Sequence, residues 1–428
     1  MKLAPSYLDG ALLALNGLPG TLAVLDSHRC ILERTWVFDA LHDWYGGVSA
    51  GGPFARDRRV FAPNWAQCRL VGGSEGLIEW YVRLLARRRP GAPILLLRGT
   101  LSVLTATDLE GLAAQLRAEV GAPVICVERE MEDEDWVDGW RRVEAAILRH
   151  LPSRRGAARP LVTGYCLFRR EGDEVGNLEE LERLCAGAGL PMPTWTFDAR
   201  TAALPAVARR APRIAFPFSA PDGAAAGGGR TIRVGLPLGI RNTRRWLEAL
   251  GTAFRRVGAV GALVERELGQ LEARLTPFVA NALAGKGAVV VADPWTAAGL
   301  VEAARELGMG VPLALVLRRS DAPDRDLEAL RAAGADEVLV DPEREEAAER
   351  LRVLADRQLA DVVVGSAVLR DEAERAGLPY VEVSGPSRLE HFAAPAPYLG
   401  FRGMLRLAER LGNAVCRREH FRRVHGPR

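Results

Sequence analysis

The sequence predicts an α/β fold of three Rossmann-like domains, each a parallel sheet with flanking helices, around an interdomain cleft. Three observations predict it. Short apolar runs such as residues 22–25 and 94–97 are bounded by polar, Gly or Pro residues, as in strands buried on both faces. Segments of helical periodicity alternate with these runs, which is typical of a parallel sheet. With 428 residues, 48% of them hydrophobic, the chain is long enough for several cores.

The first domain is predicted over residues 1–155. Besides strands at 22–25, 94–97 and 124–127, helical periodicity predicts helices at 77–86, 107–120 and 136–151. Asp108 stands near the start of the second of these helices and Gly121 just past its end, in agreement with the usual capping preferences. A loop rich in Pro, Arg and Gly ends the domain.

The second domain is predicted over residues 156–257 and the third over 258–428. The second domain is expected to contain strands at 161–168 and 213–216 and helices at 177–188, 202–211 and 243–257. In the third, a long helix to about residue 283 precedes strands at 288–292, 313–317, 337–340 and 361–365, which alternate with helices. A final helix is predicted over 403–416, and Cys416 is expected to pack there.

Composition excludes several classes of protein. The net charge is +3, from 57 basic and 54 acidic residues, so nothing indicates nucleic-acid binding. The basic tail at 417–428 is interpreted as a solvated helix end. The sequence shows no apolar run of membrane length and no basic-then-apolar segment near residue 1, so neither a membrane span nor export is expected. Six cysteines form no Cys-x-x-Cys pair, which argues against a zinc ribbon, a ferredoxin-type motif and a disulfide scaffold, and reduced thiols in the cytoplasm are expected.

Cys30 is the residue on which a functional hypothesis is built. It lies just past the predicted strand at 22–25, at the edge where open α/β sheets bring side chains to ligands. The alternative, a small buried thiol in the core, is about equally favoured by position alone. Cys126, Cys166 and Cys185 fall in or beside predicted strands and helices and are assigned to the core.

Several short motifs, in order and spaced over most of the chain, carry a family resemblance. They are Val-Thr-Gly-Tyr at 162–165, Gly-Leu-Pro-Leu-Gly at 235–239, Ala-Asp-Val-Val-Val-Gly-Ser at 360–366 and Pro-Tyr-Leu-Gly-Phe-Arg-Gly at 397–403. Together they resemble the nitrogenase component 1 superfamily. That superfamily includes the nitrogenase molybdenum–iron protein subunits, cofactor-assembly scaffold subunits, and dark-operative protochlorophyllide and chlorophyllide reductase subunits.

The resemblance implies an assembly that shares a [4Fe–4S]-type iron–sulfur cluster between subunits and receives electrons from an ATP-dependent iron protein. In the family a cysteine ends a His-Gly-Pro-x-Gly-Cys motif, and Cys30 occupies that place here. Cys68 lies in a segment that resembles a second family stretch near the same interface. Cys30 is favoured as a ligand, whereas the core is favoured for Cys68. Residues 1–13 hold no cysteine, and Thr100 or Leu101 stands where another family thiol is expected.

Two histidines near Cys30, His28 and His42, are candidate proton donors, with Asp43 placed to orient the second. The alternative is that both are surface loop histidines. His391 lies near the place of a nitrogenase histidine ligand, but no matching cysteine is evident, so that role is not transferred.

Two functions remain open. The first is a subunit of a nitrogenase-like oxidoreductase that reduces an organic substrate or a metallocofactor through an interface cluster. The second is a non-catalytic scaffold or binding subunit of the same fold that has lost the cluster. The partner is either a paralogous subunit or a second copy, and two copies would offer Cys30 and Cys68 twice.

Overall fold

The computed structural model describes residues 3–27, 59–62, 73–99, 107–128, 135–152, 159–166, 171–208, 210–219, 229–318, 323–383, 385 and 390–426. The strands are β1 Leu22–Asp26, β2 Val60–Phe61, β3 Ile94–Arg98, β4 Val124–Val127, β5 Leu161–Thr163, β6 Thr194–Trp195, β7 Arg213–Ala215, β8 Thr231–Arg233, β9 Gly287–Ala292, β10 Gly310–Val316, β11 Val338–Val340, β12 Val362–Gly365 and β13 Tyr380–Glu382. The helices are α1 Tyr7–Ala14, α2 Glu75–Arg88, α3 Leu109–Val120, α4 Trp136–His150, α5 Gly172–Gly187, α6 Ile240–Ala253, α7 Val257–Ala282, α8 Pro294–Glu306, α9 Pro323–Ala333, α10 Arg344–Asp356, α11 Arg370–Arg375 and α12 Gly400–His425.

The first sheet has the strand order β2-β1-β3-β4, and its strands are parallel. Every residue of β1 and β4 is buried, as expected for strands covered on both faces. Apolar side chains from α2 and α3, including Ile78, Val82 and Leu116, pack with those of the strands in one core. Asp108 caps α3 by accepting a hydrogen bond from Gly111 N, and Gly121 ends it in the left-handed region, so both predicted ends are confirmed.

Helices α1 and α4 cross closely at two glycines. A Cβ atom on Gly10 would lie 1.6 Å from the Trp136 carbonyl oxygen, and one on Gly139 would lie 1.9 Å from the Tyr7 carbonyl oxygen. Neither position therefore accepts a side chain without separation of the two helices.

The second sheet has the order β6-β5-β7-β8. The predicted strand at 161–168 ends early, at Thr163, because Gly164 adopts a positive φ of 67° and turns the chain. Gly164 N donates to Glu144 Oε1 at 2.6 Å, which satisfies the amide that the strand leaves unpaired. The predicted helix at 202–211 is wrong, since its described residues form bends and extended chain around Pro205, which has no N–H to donate.

The third sheet is parallel, with the order β11-β10-β9-β12-β13. The chain adds β10 and β11 on one side of β9 and then β12 and β13 on the other, which is the doubly wound arrangement. The α/β fold with three parallel sheets is thus confirmed. The last helix begins at Gly400 and continues to His425, well past the predicted end at 416.

The chain forms two compact units. One contains Met1–Ala4, Glu171–Met192 and Ile232–Arg428, and the other contains Pro5–Arg170 and Pro193–Thr231. The three predicted domain ranges stay predictions. Within the described residues, none of the helices combines the length and the apolar character needed to cross a bilayer.

Candidate functional site

The first sheet reverses its strand order between β1 and β3. Ligands of open parallel sheets bind at the carboxyl ends of the strands that flank such a reversal. β1 ends at Asp26 and β3 at Arg98, and these two residues are paired in register. Cys30 follows Asp26 by four residues in the sequence.

Buried polar contacts hold this edge together. Ser74 Oγ donates to Asp26 Oδ1 at 2.8 Å, and Asp26 and Ser74 are only 1% and 2% exposed. Gly99 N donates to the Asp26 carbonyl oxygen at 3.2 Å. A Cβ atom on Gly99 would lie 2.4 Å from that oxygen, so the end of β1 and the residue after β3 approach too closely for a side chain. These two hydrogen bonds therefore hold the ends of β1 and β3 and the start of α2 next to one another.

The five predicted site residues lie outside the described residues: His28, Cys30, His42, Asp43 and Cys68. Thr100 and Leu101, which stand where a family thiol is expected, also lie outside them. Their roles stay predictions. The described residues nevertheless include the points from which these segments continue: Ser27, Gly73 and Gly99.

A charged cluster lies at the ends of β3 and β4. Arg98 Nε lies 2.7 Å from Glu128 Oε2, and the Cys126 thiol donates to Glu128 Oε1 at 3.0 Å. Glu110, Cys126 and Glu128 have ligand atoms within 4.8 Å of one another. Burial, and then the hydrogen bond to Glu128, raise the pKa of Cys126 far above its usual value. Glu128 thus accepts a hydrogen bond from the thiol and forms an ion pair with Arg98.

The described cysteines do not form a cluster site. Cys126, Cys166 and Cys185 are buried, as predicted, whereas Cys416 is exposed, so the expectation that it packs is wrong. Burial also raises the pKa of Cys185 to about 12. Among the residues that the structure describes, no three thiols converge.

A second polar constellation lies in the unit that contains the third sheet. Glu171, 4% exposed, precedes α5; its Oε1 lies 2.7 Å from His391 Nδ1, and its Oε2 accepts from Phe392 N at 2.8 Å. This pairing holds the imidazole in one orientation, with a side chain that is 28% exposed. The Glu171 carboxylate thus joins the His391 ring and the Phe392 backbone to the residue that precedes α5.

Asn177, on α5, fastens the same segment further along. Its Oδ1 accepts hydrogen bonds from Tyr398 N at 2.7 Å and Leu399 N at 2.9 Å, and the side chain is 6% exposed. Sequence reasoning missed both Glu171 and Asn177, because their partners are 220 to 222 residues away. The one sequence signal for these two residues was a cluster of polar residues at the start of a helix, where apolar residues are expected.

The reversal point of the third sheet is also polar. Asp293 follows β9 and accepts from Trp295 N and Thr296 N, both at 3.0 Å, so it caps α8. Burial raises the pKa of Asp293. The Arg318 guanidinium lies 5.8 Å from the Trp295 ring centroid. These contacts stabilise the strand ends.

The family model for nitrogenase component 1 type oxidoreductases matches residues 69–416, about four fifths of the chain. The chain belongs to this family. The match begins one residue after Cys68, so the family assignment rests on the remainder of the chain and not on the predicted ligands.

Two curated relatives and two solved structures are similar to this nitrogenase component 1 type chain. One relative is a subunit of the light-independent protochlorophyllide reductase of Heliobacterium modesticaldum, 36% identical over 186 residues, which are 42% of this chain and 34% of the relative. The nitrogenase molybdenum–iron protein beta chain of Frankia alni is 28% identical over 191 residues, 43% of this chain and 34% of the relative. Each alignment thus spans about a third of the relative's length.

The structure of nitrogenase Cp1 at pH 6.5 superposes with a TM-score of 0.77 at 18% identity, covering 98% of this chain and 93% of that one. A second structure, nitrogenase Cp1 at pH 5, gives a TM-score of 0.70 at 14% identity, with 97% and 88% covered. These two similarities establish the fold alone.

Proposed function

We propose that this chain is a subunit of a nitrogenase-like oxidoreductase that reduces an organic substrate or a metallocofactor through an iron–sulfur cluster at an interface between subunits. One observation carries the proposal: the segment that contains Cys30 follows β1, which is one of the two strands at the reversal point of the first sheet. Membership of the nitrogenase component 1 type oxidoreductase family supports the class of reaction.

Cys30 is the first ligand that we assign, and Cys68 the second. The Ser74 to Asp26 hydrogen bond supports this pairing, because it joins the strand end that leads to Cys30 to the helix start that follows Cys68. The buried, protonated thiols of Cys126 and Cys185 do not suit the group. A [4Fe–4S] cluster transfers single electrons and normally takes four thiolates, so a partner chain supplies the remaining ligands.

The partner is a paralogous subunit or a second copy of this chain. Both curated relatives are named as one chain of a larger protein, a reductase subunit in one case and a beta chain in the other, which supports an assembly of more than one chain. An ATP-dependent iron protein is the proposed source of electrons, by analogy with the nitrogenase family.

Protons for the reduction come from histidines in this proposal. His28 and His42, the latter beside Asp43, are the candidates near Cys30. His391 is a further candidate in its own unit, because Glu171 Oε1 lies 2.7 Å from its Nδ1 and leaves the orientation of the ring defined.

The test is iron and acid-labile sulfide per chain, measured on protein purified without oxygen, alone and co-expressed with the products of neighbouring genes. Cys30→Ser and Cys68→Ser are compared with Cys416→Ser, a matched control at an exposed thiol. Iron that is lost with Cys30→Ser and kept with Cys416→Ser is the expected result.

A protein without iron under every one of these conditions would overturn the proposal. The second function would then stand: a scaffold or binding subunit of the same fold without a cluster. Two features of the sequence favour that alternative. Residues 1–13 contain no cysteine, and Thr100 or Leu101 stands where the family has another thiol.

A further inference from the structure

A pocket of about 480 Å³ lies between α12 and the connection from α11 to β13. This volume is in the range of small-molecule sites. Part of its lining is apolar: Leu378 and Tyr380 are buried, and the Phe421 side chain is 39% exposed. The Tyr380 hydroxyl donates to the Ser366 carbonyl oxygen, so the rest of the ring serves as an apolar surface.

The acidic groups of the lining are already neutralised. Glu374 pairs with Arg370 at 2.8 Å, and Glu390 pairs with Arg410. Neither carboxylate therefore opposes the binding of a negative ligand with its full charge.

Two of the three arginines that α12 contributes to the lining are not neutralised, whereas the third, Arg418, forms an ion pair with Asp361. Arg417 and Arg422 form no ion pair with any residue of the described ranges. Arg418 is only 7% exposed, and its Nη1 lies 2.7 Å from the Ala360 carbonyl oxygen and 3.1 Å from Asp361 Oδ1. Its Nη2 is buried without a hydrogen-bond partner in the described part of the chain. Burial, followed by the charge of Arg422, lowers the pKa of Arg418.

A favourable interaction with the helix dipole explains basic residues at the end of α12, and the sequence alone supports that explanation. It does not explain a buried guanidinium with an unused N–H group in the lining of a pocket. Together with Arg417 and Arg422, which have no described ion pair, this group leaves the lining of the pocket with an excess of positive charge that suits a negative ligand.

We propose that this pocket binds a small organic anion. Its carboxylate, phosphate or sulfonate group contacts Arg417, Arg418 and Arg422, and its apolar or aromatic body lies against Tyr380 and Phe421. Guanidinium groups suit such anions because their paired N–H donors match two acceptor oxygens. The pocket shares no residue with the proposed cluster ligands, and binding of the anion does not depend on a cluster.

The experiment is isothermal titration calorimetry on the full chain with three probes: anilinonaphthalene sulfonate, its uncharged analogue phenylnaphthylamine, and inorganic phosphate. We expect saturable binding of the sulfonate at one site, with affinity at least tenfold higher than that of either other probe. The double variant Arg417→Gln/Arg422→Gln should weaken sulfonate binding at least tenfold, and Phe421→Ala should weaken it severalfold. Arg423→Gln, on the same helix with a side chain that is 80% exposed, is the matched control and should leave the affinity within twofold.

Unchanged binding by the double variant, or an equal loss with Arg423→Gln, would overturn the proposal. The proposal would also be overturned if phosphate or phenylnaphthylamine bound as tightly as the sulfonate. Equal binding of phosphate would mean that the apolar contacts add nothing, and equal binding of phenylnaphthylamine would mean that the negative charge adds nothing. Arg417 and Arg422 have no described ion pair to lose, so the double variant should fold, and an unchanged melting temperature would establish this.

Discussion

Asn177→Ala should destabilise the unit that contains α5 and α12. The substitution removes the acceptor for two backbone N–H groups, those of Tyr398 and Leu399, at a side chain that is 6% exposed. Each buried donor left without a partner costs about 1–3 kcal/mol, so the expected loss is about 2–6 kcal/mol. For a unit of about 220 residues, this corresponds to a melting temperature lower by roughly 5–20 °C.

Thermal unfolding followed by circular dichroism measures the loss, and hydrogen exchange with mass spectrometry localises it. The peptide that contains Tyr398 and Leu399 should exchange much faster in the variant, because its amides lose their protected hydrogen bonds. Asn177→Asp keeps an acceptor, although it faces Glu174, and should recover part of the stability. Asn281→Ala, on an exposed face of α7, should change stability by less than about 0.5 kcal/mol. A melting temperature for Asn177→Ala equal to that of Asn281→Ala would refute the reasoning.

Three further predictions follow from described contacts. Gly139→Ala should lower the melting temperature strongly, since its Cβ would lie 1.9 Å from a backbone oxygen of α1. Gly269→Ala is the control on α7, where a Cβ would meet open space. It should raise the free energy of unfolding by about 1 kcal/mol in urea titrations. The pKa of Cys185 is about 12 in the folded chain and about 9 when unfolded, so the unfolded thiol loses its proton first. The free energy of unfolding should therefore fall as the pH rises from 9 towards 12. Cys185→Ala should make this dependence on pH less steep. Native alkylation at neutral pH, read by mass spectrometry, should modify Cys416 and spare Cys126; equal labelling would contradict the assignment of burial.

Much of the fold was predictable because apolar runs and capping residues are local signals. The strand at 124–127 and the end of α3 at Gly121 agree with the structure, since each depends on adjacent residues. The strands β2 and β6, two residues each, were missed because no periodicity exists at that length and their pairing partners are distant in sequence. The predicted start of α5 at residue 177 was five residues late, because its first turns are polar and are buried by tertiary contacts.

The candidate site was predictable only in outline. The sequence predicted the strand that precedes Cys30, but the order of strands, which puts a reversal point beside that strand, depends on long-range pairing. The bond between Asp26 and Ser74 spans 48 residues, and that between Glu171 and His391 spans 220. No pattern within a window of sequence encodes such partners.

The discontinuity of the two units has a consequence for synthesis on the ribosome. The unit formed by Pro5–Arg170 and Pro193–Thr231 can close once residue 231 has emerged. The other unit requires α12. Asn177 accepts its hydrogen bonds from the N–H groups of Tyr398 and Leu399, which are translated more than 200 residues later. Helix α5 therefore cannot pack against its partners until translation is almost complete. Until then, the carboxylate and amide side chains that become buried in the folded unit stay hydrated. Nascent chains arrested before Gly400 should accordingly present a protease-resistant first unit and a protease-sensitive α5.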